Sequence, residues 1–303
     1  VEFKSAAVIQ RLYPSGVRLL QDGGVWDTLA GQPTDDSELA LALARTLALV
    51  GGYDTEAVAT SYARWYSSGP FDIGDTTRVA LSAAADAAAK GECVAAAAEK
   101  AASRSSQANG ALMRISPLGI LGSVLTANEV SAWARKDACL THPNPICQDC
   151  NVVYTASIAF AIRRGASAYE IYQDALSVAR KEGVDPAVLL RLTEAASNLP
   201  ADYERQQGWV LTAFQNAYYQ LLHAPNLEEG VVATVHKGGD TDTNGAIAGA
   251  LLGAAWGVES VPRQWMECLT NCRPQEGNTG VKTPRPSEYW PIDVLELAGR
   301  LVA

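Results

Sequence analysis

The sequence predicts an all-α protein, a compact bundle of many helices forming one domain over residues 1–303. Three observations carry that expectation. Apolar residues recur at helical spacing through most of the chain, whereas the alternating pattern of a half-buried strand is hard to find. Alanine is used heavily, as in ALSAAADAAAK and ECVAAAAEKAAS, and it is the residue that fits a helix at least cost. No glycine/serine linker divides the chain, and no repeat of constant period is visible.

Taken in order, the first strong helix is ELALALARTLALV after Ser37, apolar on nearly every face from Leu39 to Val50, which suits the middle of a bundle. GGYD at Gly51 and SSGPFDIGD at Ser67 mark boundaries by turn chemistry. VLTANEVSAWARKDACL, YEIYQDALSVARKEG and PAVLLRLTEAASNL follow as amphipathic helices. Beyond the turn NLPADYE at Asn198 comes GWVLTAFQNAYYQLLHA, and Ala246 to Trp256 forms a second helix apolar all round. Trp256 and Trp265 read as core residues. NCRPQEGNTGVKTPRP, from Asn271 to Pro286, is the longest stretch without a pattern and is expected on the surface or over a site.

The charge balance excludes some functions. With 24 basic and 33 acidic residues the formal charge is −9, which disfavours a nucleic-acid partner and suits a metal cation. No apolar run is long enough to span a membrane, and the N-terminus lacks a signal-peptide pattern, so a cytoplasmic protein is expected. The chain opens on Val1, which leaves a removed or absent upstream segment open. Six cysteines are few for this length. Cys147 with Cys150 and Cys268 with Cys272 have the count for a zinc site, but their helical setting lacks a knuckle glycine, and free thiols are expected.

Two short segments concentrate oxygen ligands in a charge-poor chain: Thr34, Asp35, Asp36, Ser37 and Glu38, then Asp240, Thr241, Asp242, Thr243 and Asn244. Each precedes a strongly apolar helix. Helix capping accounts for one side chain in each. It leaves a surplus carboxylate beside a buried helix, and that crowding is unfavourable without a compensating cation. Four carboxylates and two hydroxyls match the needs of a pair of hard divalent ions, and Gly238 and Gly239 let the backbone turn tightly beside them.

The segments PTDDSELA, FDIGDTTR, NGALMRISPLG, THPNP and HKGGDTDTNGAIAGALLGAAWG resemble, in order, the motifs of the ADP-ribosylglycohydrolase family. The resemblance implies an all-α fold with two Mg²⁺ ions at the base of a cleft, held by Thr34, Asp35, Asp36, Asp240, Asp242 and Thr243. It implies that Ser106, Asn109, Gly110 and Met113 line the ADP-ribose groove with His142 near the ribose and phosphates, and that Asp72 lies close to the reacting ribose. Relatives open with a glycine-rich helix ending in a glutamate that faces the metals; that helix is missing here, and Glu2 matches the glutamate. Gln107 stands where some serine-directed relatives carry an aromatic residue beside the adenine. Ser37 replaces a common threonine.

The chemistry so implied is hydrolysis of the bond between ADP-ribose and a modified protein side chain, arginine first. Either Glu2 or Asp72 serves as the acid/base, with Asp75 in reserve, although Asp75 also reads as a helix cap. Backbone amides around Asn109 and Gly110 are expected to hold the diphosphate. His142 also reads as a turn residue, His236 as a structural pin for the glycine loop, and Arg114 as a core residue with a buried stem. Two other functions compete. A two-metal phosphoesterase usually adds histidine ligands, and the chain has three histidines in all. A protein that blocks an ADP-ribosyltransferase toxin by occupying it needs no hydrolysis, and an antidote could combine both roles.

Overall fold

Small polar residues ahead of the apolar runs start many of the helices. The computed structural model describes residues 1–303. It contains α1 (Ala6–Leu12), α2 (Asp35–Val50), α3 (Thr55–Ser67), α4 (Asp75–Lys90), α5 (Val94–Ala101), α6 (Ser116–Gly122), α7 (Ala127–Cys139) and α8 (Pro145–Arg164). There follow α9 (Ala168–Glu182), α10 (Pro186–Glu194), α11 (Val210–His223), α12 (Leu227–Val235), α13 (Thr241–Trp256), α14 (Arg263–Asn271) and α15 (Val294–Val302). No β-sheet is present, only isolated bridges. Side chains of Ser5, Asp54, Thr126, Asn144, Ser167, Asp185 and Asn226 accept the orphan amide hydrogens of their helices, and Thr126 and Ser167 form full capping boxes with Glu129 and Glu170. Gly51 ends α2 in the left-handed conformation, φ 71°.

One continuous hydrophobic core runs from α2 to α15. The longest helix, α8, packs against α6, α7, α9 and α13, and the Tyr154 hydroxyl donates to the Ile247 carbonyl at 2.7 Å, tying α8 to α13. The α13 segment Ala246–Trp256 has no exposed residue, as its all-round apolar character predicts. Helix α2 departs from that expectation in its last turn, where Leu49 is 83% exposed, because α2 runs past its neighbours before Gly51 turns the chain. Trp256 and Trp265 are only half-buried, packed on the edge of the core rather than inside it. No helix is long and apolar enough to cross a membrane.

The patternless stretch after Asn271 crosses the beginning of α2. Arg285, 5% exposed, donates to both carboxylate oxygens of Glu38, Nε to Oε1 and Nη2 to Oε2 each at 2.8 Å, and to the Ser68 carbonyl and hydroxyl. Trp65 Nε1 completes the Glu38 shell at 2.7 Å, and Gln32 Nε2 donates to the Thr283 carbonyl at 2.6 Å. All six cysteines are free thiols; Cys147 and Cys150 lie buried along α8.

Candidate metal centre and substrate cleft

The two acidic segments begin α2 and α13, and they come together at one cleft. Neither cap residue uses its side chain: Thr34 and Asp240 make no side-chain bond to their helix amides, and only Asp35 Oδ1 accepts from a first-turn amide, that of Asp36 at 3.1 Å. Capping, sufficient elsewhere in this chain, therefore does not account for these clusters. Thr34 Oγ1 donates instead to Asp36 Oδ2 at 3.0 Å, and Asn109 Nδ2 donates to Asp240 Oδ2 at 2.7 Å. Trp26 Nε1 donates to Glu2 Oε2 at 3.2 Å. Neutral donors thus fix one oxygen of Asp36, Asp240 and Glu2. The buried oxygens Asp36 Oδ1 and Asp242 Oδ1, one from each segment, have no hydrogen-bond partner.

Electrostatics follow from that crowding. Burial, then the charges of Asp72 and Asp240, push Glu2 up to about 7. Burial and the neighbouring Asp240 push Asp36 up to about 7, against the hydroxyls of Thr34 and Thr243. Asp72 rises to about 6 through burial and Asp240, with the Trp26 indole holding it down. Asp35 is raised well above the usual carboxylate range by burial and then by the adjacent Asp36 and by Asp72, and Asp242 by burial and then by Asp36 and Glu2. Carboxylate oxygens of Glu2, Asp72 and Asp242 lie within 4.8 Å of one another. A site that holds so many carboxylates close together, two with orphaned oxygens, matches the oxygen-rich donor set of a hard divalent cation.

The cleft above this floor encloses about 240 Å³, with Glu2, Asp35, Asp72, Asn109, Gly110, Met113, His142, Asp240, Asp242 and Thr243 in its walls. Past Ala108, Gln207 and Gly208 it continues into a second hollow of about 430 Å³ that reaches Gln107 and Trp209. Three sequence-predicted residues stand off the cleft wall. Thr34 and Asp36 face an adjoining cavity behind the cluster, because the first turn of α2 points them away from the opening. Ser106 sits behind Thr76, their hydroxyls 2.9 Å apart. The expected diphosphate amide at Asn109 is also corrected: that N–H donates to the Gly208 carbonyl at 2.9 Å and is not free.

His142 is buried against Gly110, where an added Cβ would come within 2.9 Å of its Cε1. Arg114 Nη1 donates to Thr141 Oγ1 at 2.8 Å, and the same hydroxyl shares a hydrogen bond with His142 Nδ1, also 2.8 Å away. Burial, followed by the Arg114 charge, lowers His142 to about 3, so it stays neutral. Arg114 is itself fully enclosed and paired with Asp137 at 3.0 Å. His236 pins the N-terminal segment through Nε2 and the Tyr13 carbonyl, 3.1 Å apart. Asp75 is the first residue inside α4 rather than its cap, which is Gly74.

Residues 1–295 match the ADP-ribosylglycohydrolase family. The chain belongs to that family. It is 28% identical to the ADP-ribosyl-[dinitrogen reductase] glycohydrolase of Rhodospirillum rubrum, the match covering 89% of this chain and 84% of that one. Identity to the ADP-ribosylarginine hydrolase Tri1 of Pseudomonas putida is 26%, covering 81% and 64%. ADP-ribosylhydrolase ARH3 of Bos taurus is 25% identical, covering 77% and 73%. The solved structure of an ADP-ribosylglycohydrolase-related protein complex shares the fold, with a TM-score of 0.71 at 24% identity over 95% of this chain and 87% of that one. This glycohydrolase is therefore a hydrolase of ADP-ribose linkages.

Sequence reasoning missed several residues of the glycohydrolase cleft. Thr76 and Thr77 line it from the FDIGDTTR segment, of which only the acidic residues were given roles, and Gly208 lines it from a segment that only the fold brings near. Phe3, 53% exposed, holds a left-handed φ of 59° at the cleft mouth. Trp26 was also passed over, although the glycines just before it signal a turn immediately upstream of the first acidic segment.

Proposed function

We propose that this protein removes ADP-ribose from modified protein side chains, arginine first, with two Mg²⁺ ions held by Thr34, Asp35, Asp36, Asp240, Asp242 and Thr243. The observation that carries the metal reading is the pair of orphaned oxygens on Asp36 and Asp242, one from each helix start. Arginine is supported by the likeness to the ADP-ribosylarginine hydrolase of Pseudomonas putida. When bound, the ions orient the ribose hydroxyls and acidify water.

The remaining work falls to the chain. Asn109, Gly110, Met113 and His142 line the ADP-ribose part of the cleft, with Ser106 supporting Thr76. His142, held neutral, offers a hydrogen bond rather than a charge. Hydrolysis joins a water oxygen to the anomeric carbon and breaks the bond from that carbon to the acceptor nitrogen. One proton passes to the departing guanidine. Glu2 or Asp72, both held high in pKa, moves that proton.

The test is ADP-ribose release from arginine-, serine- and glutamate-linked substrates, with Mg²⁺ and with chelator. Release from the arginine substrate, lost in chelator and in Asp242→Asn, is expected. Unchanged turnover in chelator overturns the metal reading; no release from any linkage overturns the activity.

A further inference from the structure

We infer that Trp26 is a positioning residue that sets the orientation of the Glu2 carboxylate beside Asp72, acting through its indole N–H and a turn built to hold it there. The inference deepens the glycosidic reading above and rests on it.

Residues 13–34 contain no helix, yet the tip that carries Trp26 is closed on itself. Gly23 and Thr28 exchange both backbone hydrogen bonds, at 2.7 and 3.0 Å, and Asp27 adopts a left-handed φ of 53° to make the turn. Asp22 Oδ1 accepts from the Ala30 amide at 2.8 Å and fixes the base of the loop. On the far side the indole packs on Phe71, centroids 6.0 Å apart at a 52° tilt, and Phe71 is the residue before Asp72. The indole thus holds the Glu2 carboxylate directly and packs on the residue before Asp72.

Glu2 has need of such a hold. It lies ahead of α1 in a segment without helix. The backbone is tied by Phe3 N–H to the Gly239 carbonyl at 2.8 Å, but Trp26 Nε1 is the carboxylate's only hydrogen-bond partner. Every nearby acidic group repels Glu2, so without the indole its side chain swings to whichever rotamer relieves the repulsion. A displacement of about 1 Å in an acid/base group lowers turnover by about 100-fold.

Trp26→Phe keeps the ring on Phe71 and removes only the donor. Expected for it are a kcat on the arginine-linked substrate lowered about 10- to 100-fold, a KM within about threefold, and an unchanged melting temperature. In a Glu2→Gln background the same change is expected to add little. Parental kcat in Trp26→Phe, or losses that multiply fully in the double variant, overturn the inference. A second readout does not depend on activity. The Trp26 indole ¹⁵N–¹H resonance, assigned by its absence from Trp26→Phe, is expected to move in Glu2→Gln; a resonance that stays in place overturns the pairing. A protein that releases no ADP-ribose but shows the shifted resonance refutes the glycosidic reading and leaves the pairing standing.

Discussion

Replacing Asp36 by asparagine is expected to make the metal-free protein more stable and to remove most of its response to Mg²⁺. Asp36 is 2% exposed, and burial with the Asp240 charge raises it from 3.8 to about 7. The sign follows from proton binding: between those two values the folded state holds a proton that the unfolded state has lost. Stability therefore falls as pH rises from 3.8 to about 7, and the deficit is complete above that. At about 1.36 kcal/mol per decade, the deficit at pH 7.5 is roughly 4 kcal/mol. Asparagine removes the charge and keeps the size, so in chelator the variant is expected to melt roughly 8 °C above the parent, at about 2 °C per kcal/mol. Mg²⁺ at a hundredfold excess over its Kd raises the parent by about 2.7 kcal/mol, or about 5 °C. Differential scanning fluorimetry at pH 5 and 7.5, with Mg²⁺ and with chelator, reads all four conditions. A variant that melts below the parent in chelator at pH 7.5, or that gains as much from Mg²⁺, refutes the reasoning.

Gly110→Ala places a methyl group 2.9 Å from both His142 Cε1 and Thr77 Oγ1; steady-state kinetics should show KM raised by about 10-fold with kcat less affected. His142, lowered to about 3, destabilises the fold as pH drops below its unfolded value of about 6.5, and its ring resonances are expected to show no titration between pH 5 and 8. Arg285→Met strands the Glu38 carboxylate and is expected to lower stability by about 3–5 kcal/mol in urea, most of it regained in Arg285→Met/Glu38→Gln. If the protein protects cells from an ADP-ribosyltransferase by hydrolysis, Asp240→Ala should fail to protect in a co-expression assay; full protection would favour blocking instead.

The helices were legible because they rest on local chemistry. Apolar period, Ser and Asp caps and Gly51 specify α2 and its neighbours without reference to the rest of the chain. The two acidic segments were legible for a different reason: surplus charge beside an apolar run is conspicuous even when its purpose is not. What stayed hidden was registry between distant segments. Nothing in NGALMR reveals that the Asn109 side chain fixes Asp240 while its backbone amide is consumed by Gly208, so the amide was assigned the wrong partner. Ser106 was placed on the wall for the same reason, since Thr76 in front of it lies thirty residues upstream. Trp26 and Phe3 depend on backbone turns of positive φ at non-glycine residues, which sequence propensity disfavours.

The grip of Arg285 on Glu38 has a bearing on biosynthesis. Until residue 285 has cleared the ribosome, the opening turn of α2 carries an anion with no Arg285 counter-charge. The nascent chain can build its alanine-rich middle early, but the start of α2 is neutralised only once residue 285 is available. A product truncated ahead of residue 285 should therefore be helical and inert.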